Sequence, residues 1–221
     1  MRLPCSLTPA DRSTLKTIGI IAGYQTILTN RARLSVTAEP ILAADLNNLS
    51  GQDFRFRSDI NYLLPPGKKF TFGFGLVYQY QFSGSQLLPV VIPIWHISDK
   101  VTLSGAFPLI PRLEVKLDQH WSIGAGINGG YSSYRLSAFN NQYIQIQNWS
   151  FGFTPKYRTS SHFELSGFLG FGNRTISVFN SNQTIPLRIY SWDIGGGSRV
   201  ATSEQKFKGL ALNLTAAYRF E

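Results

Sequence analysis

The chain is predicted to be all-β, a closed antiparallel transmembrane β-barrel of about 12 strands with short hairpin connections. Three observations carry this: apolar and small polar residues alternate along most of the chain, turn residues recur at short intervals, and the polar face has little charge. No window shows a helical period. The longest unbroken apolar run, residues 87–95, contains Pro89 and Pro93 and falls far short of the roughly 18 residues a membrane-crossing helix needs.

Composition narrows the class further. Only 15% of the 221 residues are charged, 14% are aromatic and 20 are Gly. So many aromatics with so little charge exclude disorder. Cys5 has no second cysteine, which excludes a disulfide scaffold. The net charge of +9 suggests an anionic partner, yet Lys and Arg are scattered singly from Arg2 to Arg219. That scatter argues against nucleic acid, whose binders gather their basic residues on one face.

A tail, residues 1–14, precedes a single barrel domain, residues 15–221. Within it, strands are predicted at 15–28, 32–45, 53–64, 70–82, 87–98, 101–108, 111–118, 121–136, 143–157, 162–178, 187–200 and 206–220. Turn clusters separate them, among them Pro65-Pro66-Gly67, Ser83-Gly84-Ser85 and Ser98-Asp99-Lys100. In 53–64, Phe54, Phe56, Ile60, Tyr62 and Leu64 face one way, against Asp53, Arg55, Arg57, Asp59 and Asn61. In 70–82, Phe70, Phe72, Phe74, Leu76, Tyr78, Tyr80 and Phe82 alternate with small and polar residues. In 206–220, Leu210, Leu212, Leu214, Ala216, Tyr218 and Phe220 do the same. The strand 87–98 is apolar on both faces, and its prolines remove ladder donors, so a bulge or weak seam is expected there.

The polar face decides between a soluble sandwich and a membrane barrel. A solvated face would carry abundant Lys and Glu, but this one carries Gly73, Gly75, Gly124, Gly126, Gly170 and Gly172 among Ser, Thr, Asn and Gln. Glycine weakens a strand interior, which suits a confined lumen better than a solvated surface. The apolar face is therefore assigned to lipid: Phe70, Phe72, Phe74, Leu76, Tyr78, Tyr80, Phe82, Leu210, Leu212, Leu214, Tyr218 and Phe220. Aromatics at strand ends, such as Trp121, Trp149 and Tyr157, fit the interfacial girdles of such barrels. The lumen receives Arg33, Glu39, Arg55, Arg57, Asp59, Arg112, Glu114, Lys116, Lys156, Glu164, Arg174 and Arg219. These charges suit either a pore selecting anionic solutes or a salt-bridged filling, and short loops without a pore gate favour the filling.

The closing strand 210–220, alternating apolar residues that end in an aromatic, resembles the terminal assembly signal of outer-membrane β-barrel proteins of Gram-negative bacteria. The hairpin unit 118–126 and the stretch 87–134 are similar to uncharacterised small barrels of that class. The resemblance implies residence in a bacterial outer membrane, contact with its lipid and folding by the barrel-assembly machinery. A signal peptide is not visible in this chain, because Tyr24 and Gln25 interrupt the apolar stretch 17–28. Twelve strands would place both termini in the periplasm and make 202–205 an external loop. That conflicts with the longer connections, 137–142 and 180–186, which then fall on the periplasmic side.

No catalytic, cofactor or metal site is assigned. His96, His120 and His162 share no ligand spacing. His120 with Ser122, and His162 with Glu164, share a strand face but lack a third member or nucleophile motif. Gly124-Ala125-Gly126 and Gly195-Gly196-Gly197 precede no helix, so neither is a phosphate loop. The expected role is non-catalytic: a porin-like channel or a filled structural barrel, its solute unnamed by these residues. The rivals are a lipid-modifying outer-membrane enzyme and a soluble β-rich binding module.

Overall fold

The computed structural model describes residues 16–44, 49–136, 142–159, 162–190, 192–195 and 199–218, and among them the fold is all-β with no α-helix. In chain order the strands are β1 (Lys16–Gly19), β2 (Ala22–Ile27), β3 (Arg33–Ala44), β4 (Phe54–Leu63), β5 (Phe70–Thr71), β6 (Gly73–Gln81), β7 (Gly84–Val91) and β8 (Ile94–His96). They continue with β9 (Val101–Ala106), β10 (Ile110–Lys116), β11 (Trp121–Arg135), β12 (Gln142–Arg158), β13 (Phe163–Asn180), β14 (Ile185–Ile189), β15 (Trp192–Ile194) and β16 (Ser203–Tyr218). A 3-10 turn, Gly51–Asp53, precedes β4 and is closed by a capping box between Ser50 and Asp53.

The strands fall into two sheets that share one hairpin. β5 and β6 are successive parts of one strand, as are β7 and β8; β6 pairs with β7 in one sheet and β5 with β8 in the other. The second break stands at Pro93, which has no N–H to give, and the Ile92 N–H bridges it by donating to the Gly73 carbonyl at 2.8 Å. The expected irregularity of 87–98 is thus a split strand. The wall then runs as an antiparallel meander from β1 and β2 through β3, β4, the shared hairpin, β9, β10, β11, β12 and β13 to β16.

One predicted strand is corrected. The described residues of 187–200 do not enter the wall, because β13 pairs directly with β16 from Phe163↔Tyr218 to Val178↔Ser203. The reason lies in β9 and β10, which are short and leave the start of β7 without a neighbour above the Val91↔Phe107 bridge. β14 fills that notch by pairing in parallel with β7, from Ile185↔Gly84 to Ile189↔Leu87, and β15 folds back on it. Gly84, at φ +122, lets the two backbones approach; a Cβ there would meet the Ile185 carbonyl.

Among the described residues the wall therefore has eleven strands. The described ends, Lys16 and Tyr218, lie at opposite ends of it, not on one side as an even count requires. One end carries short turns, among them 28–32, 64–69, 97–100 and 117–120; the other carries the longer connections 45–53, 136–141 and 181–202. Among the described residues no hydrogen-bonded ladder joins β16 to β1 or β2, and both outer edges stay open.

Polarity across the wall is inverted relative to a soluble sheet. Phe70, Phe74, Leu76 and Tyr80 are exposed, whereas Gly73, Val77 and Gln81 on the opposite face are buried. Phe72, Tyr78 and Phe82 are half-buried. Leu210, Leu212 and Leu214 on the open edge are 77, 75 and 76% exposed. Phe220 and Arg219 lie outside the described residues.

Candidate functional site

Among the described residues the inward face gathers most of the predicted charges, and the register places them row by row; Arg55 departs from it and lies over the Phe82 ring instead. Glu39 stands opposite Arg57, and Thr37 stands opposite Asp59 and donates its hydroxyl to it. Asn61 Nδ2 also donates to Asp59, at 2.8 Å. Glycines make room for these reaches: a Cβ at Gly75 would meet Asn61 Oδ1 and, at 2.7 Å, Val90 Cγ2. Arg33 sits exposed at the short-turn end of β3.

Near the short-turn end a cavity of about 210 Å³ collects Glu114, Lys116, Ser122, Lys156, Arg158 and Glu164. Lys156 Nζ donates to Glu114 Oε2 at 2.6 Å, crossing β11 above Gly124, and Arg158 donates to Glu164 at 2.8 Å. The Ser122 hydroxyl engages Glu114 as well. His120 takes a different partner, pairing Nδ1 with the Arg158 carbonyl at 2.9 Å. Below them Asp118 accepts the N–H groups of Trp121 and His120, which hold its carboxyl below the usual range. His162 stacks on Tyr218 with centroids 6.1 Å apart, and His96 Nδ1 meets Thr102 Oγ1 at 3.0 Å. The three histidines are thus held at separate places, and no group of three His, Cys, Asp or Glu able to hold a metal forms among the described residues.

The long-loop end holds a network that strand alternation did not disclose. Beyond the wall, β11, β12 and β13 continue as a projection whose outward parity turns polar: Tyr131, Ser133, Arg135, Gln145, Ser177. The register across it is unbroken, so these side chains share a face with exposed Phe151 and Phe171. Here, however, protein covers that face. Ser133 is fully buried and receives the Ser83 N–H, while its own N–H donates to Gln81 Oε1. Arg135 reaches Asp53. Tyr143, 0% exposed, donates to the Gln183 carbonyl and accepts from Arg199 Nη1.

Through this cap runs a ladder of rings closed by a guanidinium at each end. Arg55 lies 5.1 Å over Phe82, Phe82 is 5.2 Å from Tyr143, Tyr143 stacks on Phe179 at 5.5 Å, and Arg199 covers Phe179 at 4.6 Å. Arg188 rests on the Tyr131 ring and pairs with Asp193, fixing the β14–β15 hairpin against β11. Of these residues only Arg55 and Phe82 were singled out from sequence. The available signal was the loss of apolar residues from the outward parity after Phe171 and before Trp149.

A larger trough, about 960 Å³, opens on the inward face of β11, β12, β13 and β16, with Arg112 and Arg174 in its lining. Neither arginine forms an ion pair with a described carboxylate.

No curated protein and no solved structure matches the chain. A family profile matches residues 13–184, from just before β1 to just short of β14. Since that match covers most of the wall strands, the chain belongs to the family described as Domain of unknown function (DUF6268).

Proposed function

We propose that this chain is a non-catalytic β-barrel of a bacterial outer membrane, its lumen capped at the long-loop end, with a structural rather than freely conducting role. The observation that carries the reading is the inverted polarity of the wall, apolar side exposed and small polar side turned inward. In lipid this arrangement is the stable one; in water it would leave a large apolar surface bare. The exposed apolar stretch is also of membrane height. On β13 it runs from Phe163 to Phe171, about 26 Å along the strand at ~3.3 Å per residue, or about 20 Å along the normal at a 40° tilt.

Aromatic residues support both boundaries. Phe70 beside Trp95, Trp121 beside Tyr157 and Phe163 beside Tyr218 mark the short-turn end. Exposed Phe54, Tyr80 and Trp149 mark the other. Above that second boundary the outward face of the projection turns polar, as protein beyond the bilayer would. The long connections then lie outside the cell and Tyr218 lies on the periplasmic side, which fits the asymmetry of loop lengths in outer-membrane barrels.

Closure removes the two open edges, whose bare N–H and C=O groups lipid could not satisfy. β1, β2 and β16 all run from the long-loop end to the short-turn end, so the pair that closes the wall is parallel. Partners on this reading are outer-membrane lipid and the barrel-assembly machinery, which engages the apolar alternation of β16. Folding into phospholipid vesicles, read as a heat-modifiable shift in gel mobility, tests it. A chain that stays monodisperse in buffer without detergent overturns it.

A further inference from the structure

We propose that the 960 Å³ trough on the inward face is a binding site for an anionic saccharide, an elongated solute with negative groups at its ends and hydroxyls between. The inference rests on the proposed reading of this face as the lumen, and the argument begins with charge. Of the inward acids, Glu114 is engaged by Lys156 and Glu164 by Arg158 near the short-turn end, and Asp59 accepts from Thr37 and Asn61 on the opposite wall. Among the described residues no Asp or Glu lines the trough, whereas Arg112 and Arg174 both do and neither has a carboxylate within ion-pair distance. Glu114 stands two positions from Arg112 on the same face but accepts its hydrogen bonds from Lys156 and Ser122, so two guanidiniums facing a recess with no carboxylate in its lining form an anion-attracting field.

Their spacing sets the shape of the ligand. Arg112 shares an inward row with Gly126, Gly152, Gly170 and Ala211, and Arg174 stands on β13 beyond Gly170 in the direction of the cap. Three strand spacings sideways and four residues along place their Cα atoms roughly 15–20 Å apart. One small anion cannot bridge them; a longer solute with charge at both ends can. Between them the row carries no side chain at Gly126 and Gly152, where a Cβ would meet the Pro111 and Leu169 carbonyls, and the Phe168 ring covers Gly170 and lines the trough. Asn128, Asn148, Ser150 and Asn213 line the trough and supply donors and acceptors that suit sugar hydroxyls.

Calorimetric titration of the folded full chain in detergent micelles tests the site, with fructose 1,6-bisphosphate as the charged probe and maltotriose as the neutral one. The bisphosphate is expected to bind saturably and at least about tenfold more tightly than maltotriose. Loss of either charge, in R112Q or R174Q, should weaken it about tenfold. A K68Q/K69Q control in the 64–69 turn should leave it unchanged. Heat-modifiable mobility of each variant separates lost binding from lost fold, and either single variant suffices if the other fails to fold. No saturable bisphosphate binding, equal binding of maltotriose, or binding indifferent to both arginines overturns the proposal. A chain that folds without detergent yet binds through Arg112 and Arg174 overturns the membrane reading alone.

Discussion

Arg135 grips Asp53 with two parallel hydrogen bonds, Nε to Oδ1 at 3.0 Å and Nη2 to Oδ2 at 2.9 Å, across 82 positions of chain. The carboxylate is fully buried and also accepts the Ser50 N–H at 2.7 Å. This pair ties the tip of the projection to the turn that starts β4 and adds to the Ser83–Ser133 and Gln81–Ser133 hydrogen bonds that hold the cap over the wall.

Removing the carboxylate should release that tie. Asp53→Asn leaves a partly buried guanidinium facing an amide and is expected to lose about 3 to 5 kcal/mol in denaturant titration at neutral pH. Burial pushes the Asp53 carboxyl up, but the hydrogen bonds from Arg135 and Ser50 and the charges of Arg135 and Arg55 outweigh it and hold the group below its ordinary range. With the folded value below an unfolded value of about 3.9, the stabilisation is complete well above pH 4 and is lost as pH falls through the folded value. The gap between wild type and Asp53→Asn should therefore close under acid conditions.

Substitution on the two wall faces should separate lipid from water. Phe74, exposed among other apolar residues, is expected to cost about 2 to 4 kcal/mol when replaced by Arg in a vesicle-folded protein. Gly73→Arg should fail for another reason, crowding, since even a Cβ there meets the Tyr62 carbonyl at 2.7 Å and Leu63 Cδ2 at 2.9 Å. Unfolding by Phe74→Arg of a chain that never needed lipid would instead indicate a soluble sandwich.

The ring ladder predicts a local, not global, weakness. Phe179→Ala removes the middle of the stack between Tyr143 and Arg199 and should cost about 3 to 5 kcal/mol. Hydrogen exchange should quicken first in β14 and β15, with the β12–β13 ladder between Phe151 and Leu169 protected.

Sidedness can be read in intact cells. A protease site inserted after Ser181 should be cut from outside, because it lies with the long connections. A site between Asp99 and Lys100, at the short-turn end, should be spared. The reverse pattern would invert the orientation.

Exchange along the shared hairpin provides a further check. Amides of β8, isolated by Pro93, should exchange faster than those of β6, which pairs continuously with both β4 and β7.

Alternation alone determined the β-class, the positions of eleven wall strands and which parity turns outward, because side-chain direction on a strand repeats every two residues whatever surrounds it. Phe70 to Phe82 and Leu210 to Leu214 needed nothing more. It could also locate Pro89 and Pro93 as trouble in one strand, since a missing N–H is a property of the residue itself. What only the tertiary structure decided was partnership. Residues 187–200 alternate well enough to pass for a wall strand, but the shortness of β9 and β10 opened a notch beside β7, and a free backbone edge there outcompeted the wall for the segment. Losing that strand changed the count from twelve to eleven, which moved the ends apart and joined 180–186 to 202–205 as one connection at the end that also carries 136–141. The cap was invisible for the same reason. Tyr143, Ser133 and Phe179 share a parity with exposed Phe151 and Phe171, and sequence period cannot tell where along a strand lipid stops and covering protein begins.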